Sequence, residues 1–463
     1  MKHLHIICTL LLGVAILLFF GVAYPHHLHY QEQYQLFLFD STYVWDIVKH
    51  PGGIADLLGR FCTQFFLYAW VGAAIIALLL SLIQLLVWRL MRVDRLFGLS
   101  FVPSFLLWLY LLDEHALLSG VWAVLVTLLV GLVIRRTISS VTKTVLSIIV
   151  AISILYWMVG PVCFPLPIDG IWTGIHYYRY PTVFPWLLWA ASLSVWVFSL
   201  LPCVCRKWVN APSGYVWGLS TFLLVTIGMG SIVWKNSNLK AEKVMQYDFM
   251  ATHQQWNRIL ETANAEKPNN QIGVTVQNLA LAMRGMLLDH MFEYNQNGIA
   301  GLMPDVQTDA TSPMPTAEAF YQLGMISVAQ RTVFEAQEAI LDFQKSGRCY
   351  KRLAQTNLIN GNYKVARKYL MALQKTLFYR TWANETLPLI GNEKAIAKHP
   401  EYGRLRQCAY KNDFYFGDHV TPEMLKDLYF SNRDNHMAYQ YLVAYYLLTG
   451  DREGLNNFIS MTR

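Results

Sequence analysis

Runs of about twenty apolar residues admit few folds, and this chain returns to such runs repeatedly before residue 234. A hydrocarbon layer about 30 Å thick is crossed by a helix of about 20 apolar residues. With no water there, each segment must satisfy its own backbone groups, which favours helices. Seven stretches meet or approach this length: 4–23, 63–88, 97–112, 116–134, 142–163, 183–204 and 214–234. The third, "FGLSFVPSFLLWLYLL", is the shortest and contains Pro103. The first is followed by "FFGVAYPHH", too bulky and aromatic for a cleavage site, so it reads as a retained anchor. Only 14% of the chain is charged, against about 25% in a soluble domain. The deficit falls on residues 1–234, while residues 235–463 read as ordinary soluble protein. The expected fold class is all-α: a polytopic membrane domain with about seven transmembrane helices, then a second helical domain.

The positive residues set the orientation. With the N-terminus cytoplasmic, the inner loops carry Arg89, Arg92, Arg95, Arg135, Arg136, Lys143, Arg206 and Lys207. The outer loops carry only Lys49, Arg60 and Arg179. Lys and Arg concentrate on the cytoplasmic side, so the bias fits an odd number of crossings. It puts residues 235–463 outside the cytoplasm, in the periplasm if the membrane is a bacterial inner membrane. The net charge of +7 is explained by residues that flank apolar runs, and no nucleic-acid partner is expected. The span interiors hold no acid or base, Gln84 being the most polar residue, which argues against an ion-coupled transporter. No Walker loop, nucleophile elbow, HExxH or dinucleotide fingerprint occurs.

This threading makes residues 24–62 a long first outer loop that begins "YPHHLHYQEQYQLFLFD". Within it Leu36, Phe37, Phe39, Tyr43, Val44, Ile47 and Val48 have the spacing of an interfacial amphipathic helix. "PGG" at 51–53 breaks that helix. The histidines and Glu32 include metal-ligand types. However, His26 and His27 are adjacent and diverge on any regular backbone, so no metal site is assigned and headgroup contact is preferred.

Beyond residue 235, "YKRLAQTNLINGNYKVARKYLMALQKTLF" puts Tyr350, Leu353, Ala354, Gly361, Tyr363, Ala366 and Leu370 close to tetratricopeptide spacing. Small Ala354 and Ala366 let two helices touch, and Gly361 turns the chain. Partial matches begin at Phe320 and Tyr439, and "VQNLALAMRGML" supplies one more helix. The tail therefore resembles tetratricopeptide repeats over about 120 residues, with Asn357 where the pattern has an aromatic. Such arrays offer a concave surface to a protein partner. An unrelated helical bundle is the alternative.

The features "HYQEQYQLFLFDSTY", "PGGIADLLGRFCTQFF" and the repeat-like tail also resemble a family of uncharacterised membrane proteins from Bacteroidota, which implies an inner-membrane location. A second resemblance is to GT-C superfamily membrane glycosyltransferases, carried by an acidic first outer loop, an acidic second outer loop and a periplasmic tail. It implies a donor sugar on a polyprenyl phosphate. Glu32 would be the first-loop acid, with Asp40 as the second choice, and Asp113 or Glu114 the second-loop acid. His176, Tyr178 and Arg179, in "GIHYYRYP", would meet the phosphate. The cofactor is left open, a divalent metal between the acids being one option. The sequence departs from that superfamily in having no DxD and no paired acids in loop one. Plainer roles stay open: Glu32 as a solvated or capping residue, Asp113–Glu114 as the end of a span, Arg179 as an interfacial anchor. A non-enzymatic scaffold, whose repeats bind an envelope protein, is the alternative function.

Overall fold

The computed structural model describes residues 2–49, 52–91, 93–137, 185–204, 214–305, 312–340, 344–410 and 421–462. The chain forms two compact units, 1–239 and 240–463. The first contains α1 (Lys2–Leu18), a π-helical turn (Phe19–Ala23), α2 (Pro25–Glu32), α3 (Ser41–Val48) and α4 (Gly53–Thr63). It continues with α5 (Ala69–Met91), α6 (Val102–Tyr110), α7 (Leu118–Thr137), α8 (Trp186–Val204) and α9 (Gly214–Asn236).

Among the described residues three helices are long and apolar enough to cross a membrane: Leu4–Ala23, Ala69–Met91 and Val216–Asn236. Shorter apolar stretches, Leu118–Val133 and Trp186–Ser199, lie in α7 and α8. The stretch expected at 97–112 is divided. Residues 94–101 form a 3-10 segment with a non-helical Leu96 (φ −105°), and only then does the nine-residue α6 begin, with Pro103 in its first turn. Proline suits that position because its missing N–H would have no helical partner. The stretch 142–163 lies outside the described residues.

At the centre α5 packs against α1, α7 and α8. Ile76, Leu80, Ile83 and Val87 are fully buried on it, at the spacing of one helix face. The buried Gln84 is satisfied locally: its carbonyl accepts from the Thr9 hydroxyl at 2.6 Å, and its amide donates to Ser100 Oγ at 2.8 Å. That arrangement is structural. α9 lies against the 3-10 segment at Gly98, where an added Cβ would stand 2.2–2.4 Å from the Thr221–Phe222 backbone. Only glycine permits that approach.

The second unit is a set of antiparallel helices. It begins with α10 (Leu239–Thr252), α11 (Trp256–Glu266), α12 (Gln271–Met283) and the single turn α13 (Leu287–His290). Next come α14 (Pro313–Leu323), α15 (Ile326–Glu338), α16 (Gly347–Ile359) and α17 (Tyr363–Leu373). Then follow α18 (Arg380–Thr386), α19 (Glu393–Lys398), α20 (Pro400–Cys408), α21 (Pro422–Ser431), α22 (His436–Thr449) and α23 (Arg452–Thr462). Three hairpins, α14–α15, α16–α17 and α22–α23, turn at Gly324, Gly361 and Gly450, each with positive φ (96°, 79° and 71°). Within the second hairpin Leu353, Ala354, Ala366 and Leu370 are buried, as the spacing requires. Asn357 is buried too, its amide donating to Leu353 O at 2.7 Å. The polar residue there satisfies itself on its own helix.

All eleven residues of α14 are buried. α20 packs on α14 and α16. Arg404 donates to Gln322 O at 3.2 Å and to Gln322 Oε1 at 2.8 Å, and Tyr321 Oη donates to Glu401 Oε1 at 2.8 Å. Beneath them Arg352 pairs with Glu318 and covers the Tyr321 ring, 3.7 Å from its centre. Burial alone would lower the Arg352 pKa, but Glu318, Tyr321 and Glu401 around it together outweigh this, so the guanidinium pKa is raised. The face that a row of hairpins would leave open is occupied here by the chain's own α20.

Candidate functional site

The loop after the first apolar helix is an ordered element docked at its far end. A π-helical turn closes the helix: Tyr24 N donates to Phe19 O, five residues back, at 2.9 Å. Such bulges are frequent at functional sites because the inserted residue re-aims its neighbours. Pro25 then opens α2. His27 and Gln31 are four residues apart, hence on one helix face, and both reach the turn after α6. His27 Nε2 lies 2.8 Å from Leu111 O. A carbonyl only accepts, so His27 carries its proton on Nε2. Gln31 Nε2 donates to Asp113 O at 3.2 Å. The Tyr34 and His115 rings stack with centroids 5.1 Å apart.

The first and second loops thus meet through side chain to backbone bonds. Glu32, the next residue after Gln31, is 5% exposed. A carboxylate so removed from water is rare in proteins unless paired. Asp113 is different: its carboxylate is exposed and accepts from His115 N at 2.9 Å. What burial Asp113 has would raise its pKa, yet the hydrogen bonds from the His115 ring and backbone prevail and hold it below the ordinary value. His27 is fully buried, and this drives its pKa down to about 4, against the opposing influence of the Leu111 carbonyl and Asp113. It is a neutral donor at physiological pH.

The remaining first-loop residues support this arrangement. Asp40 caps α3, accepting from Thr42 N at 3.0 Å and Tyr43 N at 3.4 Å. The expected interfacial helix is therefore shorter than its apolar pattern: α3 starts only after Asp40, with Trp45 69% exposed. Gly52, at φ 67°, precedes α4, as the "PGG" break requires. Tyr43 Oη donates to Leu36 O at 2.7 Å, and Arg60 pairs with Asp56 at 2.8 Å. Glu114 shares the 111–115 turn with Asp113. His176, Tyr178 and Arg179 lie outside the described residues.

The structure therefore brings the segments of Glu32, Asp113 and Glu114 together and gives Asp40 a capping task. Among the described residues no group of three His, Cys, Asp or Glu side chains is arranged to hold a metal ion. Sequence reasoning passed over His27 and Gln31 as the docking pair, although their four-residue spacing on a helix was a visible signal.

Fold and site together define an all-helical protein whose first unit is built around helices of membrane-crossing length and whose second unit, following it in the chain, is also helical. The chain belongs to the family described as "Family of unknown function (DUF6057)", whose model matches residues 2–463. No curated protein and no solved structure matches it.

Proposed function

We propose that this protein is a membrane glycosyltransferase of GT-C type that takes a sugar from a polyprenyl phosphate at the outer face of a bacterial inner membrane. The observation that carries this reading is the seating of α2 on the Leu111–Asp113 turn, with Glu32 buried next to Gln31. It supports a site assembled from the first and second outer loops. In this reading Glu32 is the general base on an acceptor hydroxyl, a role suited to a carboxylate shielded from water. Asp113 or Glu114 orients the acceptor, and His176, Tyr178 and Arg179 meet the phosphate. The N-terminus is cytoplasmic, and residues 235–463 form a periplasmic domain related to tetratricopeptide repeats.

The test is a profile of envelope glycans in a deletion strain complemented by variants. Glu32→Gln that is inserted and folded normally is expected to lose the glycan product, and Asp113→Asn to reduce it. A full product yield from Glu32→Gln refutes the assignment. A C-terminal reporter active only in the cytosol refutes the topology.

A second reading, a scaffold whose helical unit binds an envelope protein, is favoured by one feature. A hollow of about 390 Å3 lies between Ser327, Gln330, Arg331, Asn360 and Asn362, with Phe334 51% exposed beside it. Loss of function in Phe334→Asp with none in Glu32→Gln supports that reading.

A further inference from the structure

Residues 363–380, which form α17 and the turn after it, include Lys364, Arg367, Lys368, Lys375 and Arg380 but no Asp or Glu. All five cations are exposed. With about 3.6 residues per turn, Lys364, Arg367, Lys368 and Met371 fall within about 100° of arc on the helix. The opposite side carries the buried Ala366, Leu370 and Leu373. Lys375 follows one turn further on, its N donating to Ala372 O at 3.1 Å. α18 brings one charge of each sign, Arg380, whose Nε donates to Gln374 O at 2.9 Å, and the exposed Glu385. Two acids beside the helix have cations of their own. Glu393 accepts from the Tyr363 hydroxyl and pairs with Arg406, and Glu338 pairs with Lys345 at 3.8 Å. The exposed side of α17 is therefore a basic ridge.

Three properties point to what the ridge meets. First, apolar tips stand among the cations: Val365, Met371 and Leu377 are exposed at 41%, 54% and 44%. Basic and apolar residues together on one exposed surface suit an anionic lipid interface, where the tips enter the headgroup layer and the cations stay at its phosphates. Second, three of the four cations on the ridge are lysines, Arg367 being the exception. Lysine is a hydrated point charge on a flexible stem, matched to the diffuse negative potential of a leaflet. Arginine is the residue of choice for the fixed carboxylates of a protein partner. Third, only Ser237 and Asn238 separate α9, a helix of membrane-crossing length, from α10. The second unit is thus tethered to the bilayer, and a tether lets a weak attraction per cation suffice.

We propose that the α17 ridge, with Lys364, Arg367, Lys368 and Lys375 around Met371, is a docking surface for an anionic phospholipid bilayer. Such docking goes beyond the transferase reading and needs no sugar chemistry. It asks only that α9 crosses the membrane, and it holds equally for an enzyme and for a scaffold.

The test uses the full chain in two kinds of nanodisc, phosphatidylcholine alone and phosphatidylcholine with phosphatidylglycerol. Lysines are acetylated for short times with an N-hydroxysuccinimide ester, and the rates at Lys364 and Lys375 are read by mass spectrometry of the digested chain. The expected result is acetylation slowed about fivefold in the anionic discs, the factor that one cation gains near an anionic surface. The difference should vanish at about 0.5 M salt, where charges are screened within about 4 Å. It should vanish too in the double variant Arg367→Glu with Lys368→Glu, which leaves both reporter lysines in place and changes only exposed residues. Equal rates in the two kinds of disc overturn the proposal. So does a slowing that the double variant keeps in full, which assigns the docking to another face. Slowing found in native membrane vesicles and in neither disc assigns the ridge to a protein partner and overturns the lipid assignment.

Discussion

Acid should loosen α2 from its seat, and the size of the effect follows from His27. Its pKa is lowered from 6.5 to about 4, chiefly by complete burial. The unfolded or undocked chain takes up a proton near pH 6.5, whereas the docked chain resists until near pH 4. Between those values the undocked state binds more protons, so stability rises with pH across the window. The contribution of neutral His27 is fully present above pH 6.5 and is lost as pH falls towards 4. At about 1.36 kcal/mol per pH unit, the change is about 3 kcal/mol. That is a large share of the 5–15 kcal/mol typical of a folded protein. Carboxylates titrate in the same range, so a difference measurement is needed. His27→Gln keeps a side-chain donor towards Leu111 O and cannot be protonated. Denaturation in detergent micelles, followed by tryptophan fluorescence at steps from pH 7.5 to 4, gives both stability curves. The wild type should lose about 3 kcal/mol more than His27→Gln on acidification, and amide exchange in α2 should speed up in step. A gap between wild type and variant that stays constant with pH, or a His27 resonance that titrates near 6.5, would falsify the reasoning.

Other outcomes follow from single contacts. Gln31→Leu removes one donor to Leu111 O and Asp113 O, which keep His27 Nε2 and Ala116 N; it should cost about 0.5–1.5 kcal/mol and raise protease sensitivity around residues 25–40. Gly98→Ala drives a methyl into the Thr221 carbonyl, so the protein should be poorly recovered in size-exclusion chromatography, whereas Gly228→Ala should be recovered normally. Arg352→Met leaves the buried Glu318 without its ion partner and should cost about 3–5 kcal/mol of denaturation free energy. The double variant Glu318→Leu with Arg352→Met should regain most of it, and a double variant no better than the single one contradicts that account.

The sequence was most legible where one rule acts alone. An unbroken apolar run is close to sufficient for a long helix in lipid, and Leu4–Ala23, Ala69–Met91 and Val216–Asn236 fall within the stretches it marked or within a few residues of their ends. Where two rules compete, the run misleads. Residues 97–112 are apolar enough, but Gly98 is pressed against α9 and Pro103 begins a new helix, so the stretch is cut in two. The Gly361 hairpin was readable because small residues and a left-handed turn each need a particular residue type. α2 was not. "HHLHYQE" looks like a polar linker, and what buries it is packing on α5 and the 64–67 segment, together with bonds to the carbonyls of Leu111 and Asp113, which any residue could supply. Glu318 and Gln322 were equally opaque, since their charge and polarity suggest a surface. Their partners Arg352 and Arg404 lie 34 and 82 residues away along the chain.

That polar interior bears on how the second unit can work. In an open array of helical hairpins the concave face is the natural seat for a peptide. Here α20 holds that position over α14 and α16 with two arginine donations to Gln322, and Tyr321 is bonded to Glu401. Displacing α20 would expose the Arg352–Glu318 pair and the apolar Tyr402 and Leu405, both buried at 2% and 0% exposure. A peptide would have to replace all of these contacts to gain entry, so the face serves as core. A partner of this unit is better sought at the hollow beside Phe334 and the 360–362 turn, which are already exposed.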